Sequence, residues 1–199
     1  MAKSAQPPRR LPNAERRPRE HLTEAEVKRL VNAAGSAGRY PVRDAALVTV
    51  MFRHALRVSE AVALRWEMVD PSGALLHVAR LKNGTATTHP LHGPELRLLR
   101  AWKREQEDKH AAPAYVFTSE RGSTFTASAV RRIIARAGIE AGFSMPLHPH
   151  MLRHSCGFTL ASKGIDTRAI QLYMGHRNIQ NTVIYTALSP ERFKGFWGD

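Results

Sequence analysis

Cysteine is nearly absent. The chain of 199 residues holds one, Cys156, so no disulfide can close within it, and that usage fits a reducing cytosol. Aromatic side chains are scarce at 7%, which argues against a single-strand nucleic-acid binder built on stacking platforms. No apolar run approaches the roughly 20 residues that span a bilayer, and the first residues lack the apolar core of a signal peptide. A soluble, cytoplasmic protein without a membrane partner is expected, and Asn83-Gly84-Thr85 then carries no glycosylation meaning. There is no GxxxxGK[ST] loop for ATP, no HExxH and no GxSxG, and no acidic cluster suggests a two-metal nuclease. Acid is the last shortage: 17 Asp+Glu face 30 Lys+Arg, a formal charge of +13. Such an excess points to a polyanionic partner, although a ribosome-associated protein or plain solubility would give the same balance. The 43% hydrophobic content suffices for a real core, and the length fits one domain, or one domain plus a tail.

Residues 1–20 mix Pro7, Pro8, Pro12 and Pro18 with Arg9, Arg10, Arg16, Arg17 and Arg19. That composition buries too little apolar surface to fold alone and predicts a flexible basic arm, suited to a DNA backbone or merely solvating. Order is expected from Leu22. Thr23-Glu24-Ala25-Glu26 is a capping box, and Leu22 with Val27 a hydrophobic staple, ahead of a helix to about Ala34. Pro41 opens a second helix that is apolar almost all round, and a short one carries Val58, Val62 and Trp66. Ala74–Arg80 and Thr85–Leu91 read as strands about Lys82-Asn83-Gly84, where Asn-Gly signals a hairpin. A helix from Pro94 to about Lys109 follows, then a candidate third strand, Ala114–Thr118. Further helices are expected near 126–137 and at 149–162, from Asp166 through Met174, and around Val183, Ile184 and Tyr185. The fold class is α+β: mostly helical, with one small antiparallel sheet.

The chemistry concentrates in His148-Pro149-His150-Met151-Leu152-Arg153-His154. On a helix, His150 and Arg153 stand three apart and share a face. Arginine offers fixed donors of permanent charge and histidine exchanges a proton near neutrality, a pairing suited to a phosphate. A metal site would want carboxylate or cysteine partners and avoid the adjacent arginine; a surface basic cluster is the plainer alternative. Three more segments accompany it. Phe52–Glu60 contains Leu56-Arg57-Val58-Ser59-Glu60, Lys82 sits in the hairpin, and Gly175-His176 is followed by Tyr185 nine positions on.

In this order and at these distances the four segments resemble the catalytic domain of the tyrosine recombinases, the family of phage integrases, from about Leu22 onward. Arg80-Leu81-Lys82-Asn83-Gly84, His148–His154 and Gly175-His176-Arg177-Asn178 look most like the short fimbrial phase-switch invertases. The resemblance implies that Tyr185 is a nucleophile forming a covalent 3′-phosphotyrosine. Arg57, Arg153 and His176 would bind the scissile phosphate and stabilise the charge that develops on it. Lys82 would protonate the leaving 5′ oxygen, and His150 would help manage the tyrosine proton. No cofactor and no metal are implied, because the covalent link conserves the bond energy. The implied partners are double-stranded DNA, a homotetramer on paired sites and accessory DNA-bending proteins, at a bacterial nucleoid. His148 and His154 read as structural or as supporting the reacting groups, Glu60 as orienting a neighbour, and Cys156 as core.

Too few residues precede Leu22 for the separate N-terminal clamp domain of typical members. The expected organisation is a basic arm over 1–20, a catalytic domain over 21–188 and a C-terminal segment over 189–199. That last segment, with Phe193, Phe196 and Trp197, would dock on its own domain or on a neighbour. A type IB topoisomerase-like enzyme with the same residues, a non-catalytic DNA-binding regulator and an RNA-binding protein are the competing readings.

Overall fold

A computed structural model describes residues 19–80, 85–109, 112–187 and Phe193. The basic arm up to residue 18, the hairpin tip with Lys82, and all of the C-terminal segment except Phe193 lie outside the described residues.

The first helix, α1 (Glu24–Ser36), begins at the expected capping box. Thr23 accepts from the Glu26 amide, and the Glu26 carboxylate accepts from the Thr23 amide. Leu22 and Val27 are both buried there, and the Leu22 amide donates to Ser155 Oγ (2.7 Å), tying the start of the domain to a distant helix. Pro41 occupies the first position of α2 (Pro41–Arg53), where its missing N–H costs nothing. Ala46, Leu47, Val48, Val50 and Met51 are buried, so this helix runs through the core as its apolar circumference requires. A five-residue α3 (Val58–Val62) follows. Trp66 is not on it but opens a separate 3-10 turn, Trp66–Met68.

The sheet is antiparallel, in the order β1 (Val69–Asp70), β2 (Leu75–Val78), β3 (Thr87–Pro90), with Leu76 opposite His89 and Val78 opposite Thr87. The hairpin pairing was expected; the two-residue β1 is too short to leave a pattern. The candidate strand at 114–118 forms only two isolated bridges, Tyr115 to Arg65 and Thr118 to Thr124. Beside main-chain bonds from the Trp66 amide to Ala114 O and from the Val116 amide to Leu64 O, side chains of α4 (Gly93–Glu107) take two of its carbonyls. Trp102 Nε1 donates to the Val116 carbonyl (2.6 Å) and Gln106 Nε2 to that of Tyr115 (3.1 Å), which satisfies the segment without a ladder.

Four helices complete the domain: α5 (Ala127–Glu140), α6 (Pro149–Ser162), α7 (Thr167–Met174) and α8 (Gln180–Thr186). Thr126 caps α5 and Asp166 caps α7 through their side chains. A small second core, with Ala55, Cys156, Ile170, Met174 and Tyr185, joins α6, α7 and α8 to the end of α2. Among the described residues no helix is long and apolar enough to cross a membrane.

Candidate active site

The site is built on a turn of backbone. Beyond Arg53, the last residue of α2, Ala55 takes φ +50, a conformation an L side chain adopts at a cost. Three successive carbonyls then receive side chains from elsewhere. Arg53 O accepts from Tyr173 Oη (2.8 Å), His54 O from Arg80 Nη2 (3.2 Å), and Ala55 O from Arg153 Nη1. The chain straightens at Arg57, which caps α3. Buried Glu60 accepts from the Arg57 amide (2.9 Å), from Arg57 Nη1 (2.7 Å) and from Arg80 Nη1 (3.0 Å). Burial alone would raise the Glu60 carboxyl, but the Arg57 amide and the two guanidiniums outweigh it and hold it below its ordinary value. Glu60 therefore orients Arg57, as expected, and Arg80 as well.

Arg153 comes from α6 and is 2% exposed. Besides Ala55 O it donates to Met174 O at the end of α7 (2.8 Å), so its fork is aimed by main chain on two sides. Desolvation, with Arg57 and Arg80 nearby, pushes it down to about 10, which still leaves it charged at neutrality. Gly175, left-handed at φ +64, ends α7 and delivers His176. A Cβ at Gly175 would lie 2.8 Å from Arg80 Cγ, so the glycine also makes room for the buried arginine. His176 Nδ1 lies 2.9 Å from Thr182 Oγ1. Desolvation first, then Arg153 and Arg57, push the ring down to about 4, so it is neutral near pH 7.

Tyr185, on α8, is 3% exposed. Its ring meets Phe158 edge-on (centroids 5.1 Å apart) and lies nearly parallel to His176 at 6.3 Å. Its hydroxyl lies 3.0 Å from His154 Nδ1. Desolvation pushes the phenol up to about 12, with Arg153 pulling the other way. His150 is exposed; its ring stands edge-on to His154 at 4.7 Å, and desolvation together with Arg153 lowers its pKa.

These side chains share one open cavity of about 270 Å³, lined by Arg57, His150, Arg153, His154, His176 and Tyr185, with Gln180, Asn181 and Ile184. Five of the six residues expected from sequence thus converge, from α3, α6, the turn after α7, and α8. The sixth, Lys82, lies outside the described residues. Fixed guanidiniums, a neutral imidazole and a phenol about one concave spot suit a phosphodiester under nucleophilic attack.

The family model described as the phage integrase family matches residues 20–192. The chain belongs to that family. Within these tyrosine recombinases it is 42% identical to the type 1 fimbriae regulatory protein FimB of Escherichia coli (strain K12) over 185 residues, covering 92% of each chain. It is 42% identical to FimE of the same strain over 183 residues, covering 90% of this chain and 91% of FimE. The fold matches the crystal structure of XerA recombinase with a TM-score of 0.76 at 28% identity, covering 89% of this chain and 63% of that one. XerH site-specific recombinase bound to its difH substrate shares the fold, with a TM-score of 0.74 at 21% identity over 84% of this chain and 50% of XerH.

Sequence reasoning missed part of this integrase-family site. Arg80 lay inside a quoted segment without a role, yet it links Glu60, the 53–55 turn and Tyr173 O (2.5 Å). Thr182 holds His176, and its spacing of six from that histidine gave no signal. Gly157 sits where a Cβ would fall 2.7 Å from two ring carbons of Tyr185. His154 was read as structural or as supporting its neighbours, and it is the ring whose Nδ1 lies 3.0 Å from the phenol.

Proposed function

We propose that this chain is a site-specific recombinase that cleaves and rejoins double-stranded DNA through a covalent 3′-phosphotyrosine at Tyr185. The observation that carries the reading is the convergence of Arg57, Arg153 and His176 on the cavity that Tyr185 lines. Tyr185 Oη attacks phosphorus and gives up its proton; the bond from phosphorus to the 5′ oxygen breaks, and that oxygen takes a proton from Lys82, the matching lysine in sequence. Arg57, Arg153 and His176 hold the non-bridging oxygens as negative charge develops there. A 5′ hydroxyl from the exchanged strand reverses the steps and frees the tyrosine. His150, at the cavity's exposed edge, completes the acid/base set.

Inversion of a DNA segment is the outcome that best fits 42% identity to proteins named as regulators of fimbriae, with integration or excision behind it. Paired sites require a tetramer of this chain, and accessory DNA-bending proteins would bring the sites together. As XerH holds difH, so this chain is expected to hold its own site.

A duplex nicked near the cleavage point loses its 5′ fragment after attack and so traps the covalent complex. Native protein should accumulate on the 3′ end of such a substrate, and Tyr185→Phe should not. Arg153→Ala should slow trapping by roughly 10²-fold or more, the scale for a lost oxyanion donor. Equal trapping by Tyr185→Phe would overturn the assignment.

A further inference from the structure

We infer that His154 takes the proton from Tyr185 as the phenol attacks, which makes it a further catalytic residue of the cleavage reaction proposed above, on which this inference rests. Its Nδ1 lies 3.0 Å from the tyrosine hydroxyl, within the reach required of a general base. The other groups about the cavity are engaged elsewhere. His176 commits Nδ1 to Thr182 (2.9 Å) and lays its ring nearly parallel to the phenol ring at 6.3 Å. Arg153 gives one N–H of each terminal nitrogen to the carbonyls of Ala55 and Met174, keeps its others for the phosphate, and has no lone pair to accept a proton. His150 meets the His154 ring at 4.7 Å and stands one step further from the nucleophile.

The placement is built by one helix. His154 follows Arg153 directly on α6, so the element that aims the phosphate-binding guanidinium also aims the base. Gly157 and Phe158, one turn on, receive the tyrosine ring: the glycine leaves a notch and the phenylalanine meets the ring edge-on. Residues 154, 157 and 158 share a face because three and four residues make about one helical turn. The helix that carries the imidazole thus also seats the phenol ring.

The proton count closes. The Oη–H proton moves to Nδ1 of a neutral His154 that carries its own proton on Nε2, while Oη forms the bond to phosphorus and the 5′ oxygen departs. Religation runs the same path backwards, and the imidazolium returns the proton to the departing phenolate. Burial, with His150 beside it, keeps free His154 down at about 4, so near pH 7 it is an open acceptor. A bound phosphate brings negative charge into the same cavity and favours the protonated ring when the transfer needs it.

The test compares native protein, His154→Ala and His154→Gln on the nicked duplex, with tyrosine and then 2,3-difluorotyrosine at position 185. Thermal melts and DNA binding are measured on every variant. Both His154 variants should bind DNA like the native protein and trap roughly 10²-fold more slowly, the lower end for a lost general base. His154→Gln preserves a polar group of similar size but cannot carry a proton away. The fluorinated phenol, which is more acidic, should recover most of the His154→Ala loss and change native protein little. Trapping by His154→Ala at the native rate would refute the proposal, as would fluorination that shifts native protein and variant by one common factor. Native protein that fails to trap at all, alongside Tyr185→Phe, would instead remove the recombinase reading itself.

Discussion

At the scale of single residues, the nucleophile's position depends on an atom that is absent. Gly157 lies within α6, and its backbone makes no demand for a positive φ; what the site uses is the missing Cβ. An alanine there would place a methyl 2.7 Å from Cδ2 and Cε2 of Tyr185, and a packed ring cannot yield that much without moving. Alanine nevertheless favours a helix interior over glycine by about 1 kcal/mol. The two effects separate cleanly: Gly157→Ala should keep its melting temperature within a few degrees of native yet trap DNA at least 10-fold more slowly, since a misplacement of about 1 Å can cost roughly 10²-fold. A calorimetric melt and a trapping time course on the same preparation check both halves. This residue was not legible in the sequence, because a glycine inside a helical pattern reads as a weak point rather than a seat. Arg57, Arg153, His176 and Tyr185 were legible because only a few residue types can hold or attack a phosphate, and their spacing survives in the letters. The closeness of His154 Nδ1 to the phenol was not, since it turns on which ring the fold brings within reach.

At the scale of elements, the turn after α2 has two faces. One face presents the carbonyls that hold Arg80, Arg153 and Tyr173. On the other, His54 Nε2 lies 2.8 Å from Glu95 Oε1 and His54 Nδ1 lies 3.1 Å from His89 Nδ1, all three residues at 0–1% exposure. Glu95 also accepts from Arg53 Nη1 (3.0 Å) and from the His92 amide (2.9 Å), so α4 and the end of α2 meet on one carboxylate, and β3 joins them through His54. Removing it leaves His54, Arg53 and the His92 amide without their acceptor. Glu95→Ala should lose about 3 kcal/mol or more, the scale for breaking a buried ion pair. Urea unfolding measures it, and unchanged stability would show that α4 does not anchor the turn. Helices with start signals or apolar stripes were legible, as at Thr23, Pro41 and Asp166 and along Val130, Ile133, Ile134 and Ala137, because those signals are local. The Ala114–Thr118 strand was a misreading for the same reason. Its apolar run does bury Val116 and Phe117, but which groups satisfy its backbone depends on Trp102 and Gln106 of α4.

At the scale of the whole molecule, packing basic groups about one cavity and burying imidazoles has a consequence in acid. Burial pushes His89 down to about 3, and His154 and His176 to about 4, from an ordinary 6.5. Below pH 6.5 the unfolded chain takes up protons at these three rings that the folded protein refuses, so stability rises with pH across that range. Their contribution is complete above about 6.5 and drains away as pH falls through about 4 for His154 and His176, and on toward about 3 for His89. Asp44 acts in the opposite sense, since burial raises its carboxyl above the ordinary value despite Arg43 and Arg136, and its folded form gains a proton first. His21 and His150, also lowered by burial, and the lowered carboxyls of Glu26, Glu60 and Glu95 act with the three rings against Asp44, and together they fix the net sign. The urea midpoint should therefore hold steady from pH 8 to 7 and fall steadily from 6.5 to 4. His89→Phe should make that fall shallower from 6.5 downward, because it removes one of the rings that the unfolded chain protonates and the folded protein does not. A midpoint that rose on acidification from 6.5 to 5 would mean that these imidazoles are protonated in the folded protein, and a cavity so charged could not offer Tyr185 a neutral acceptor.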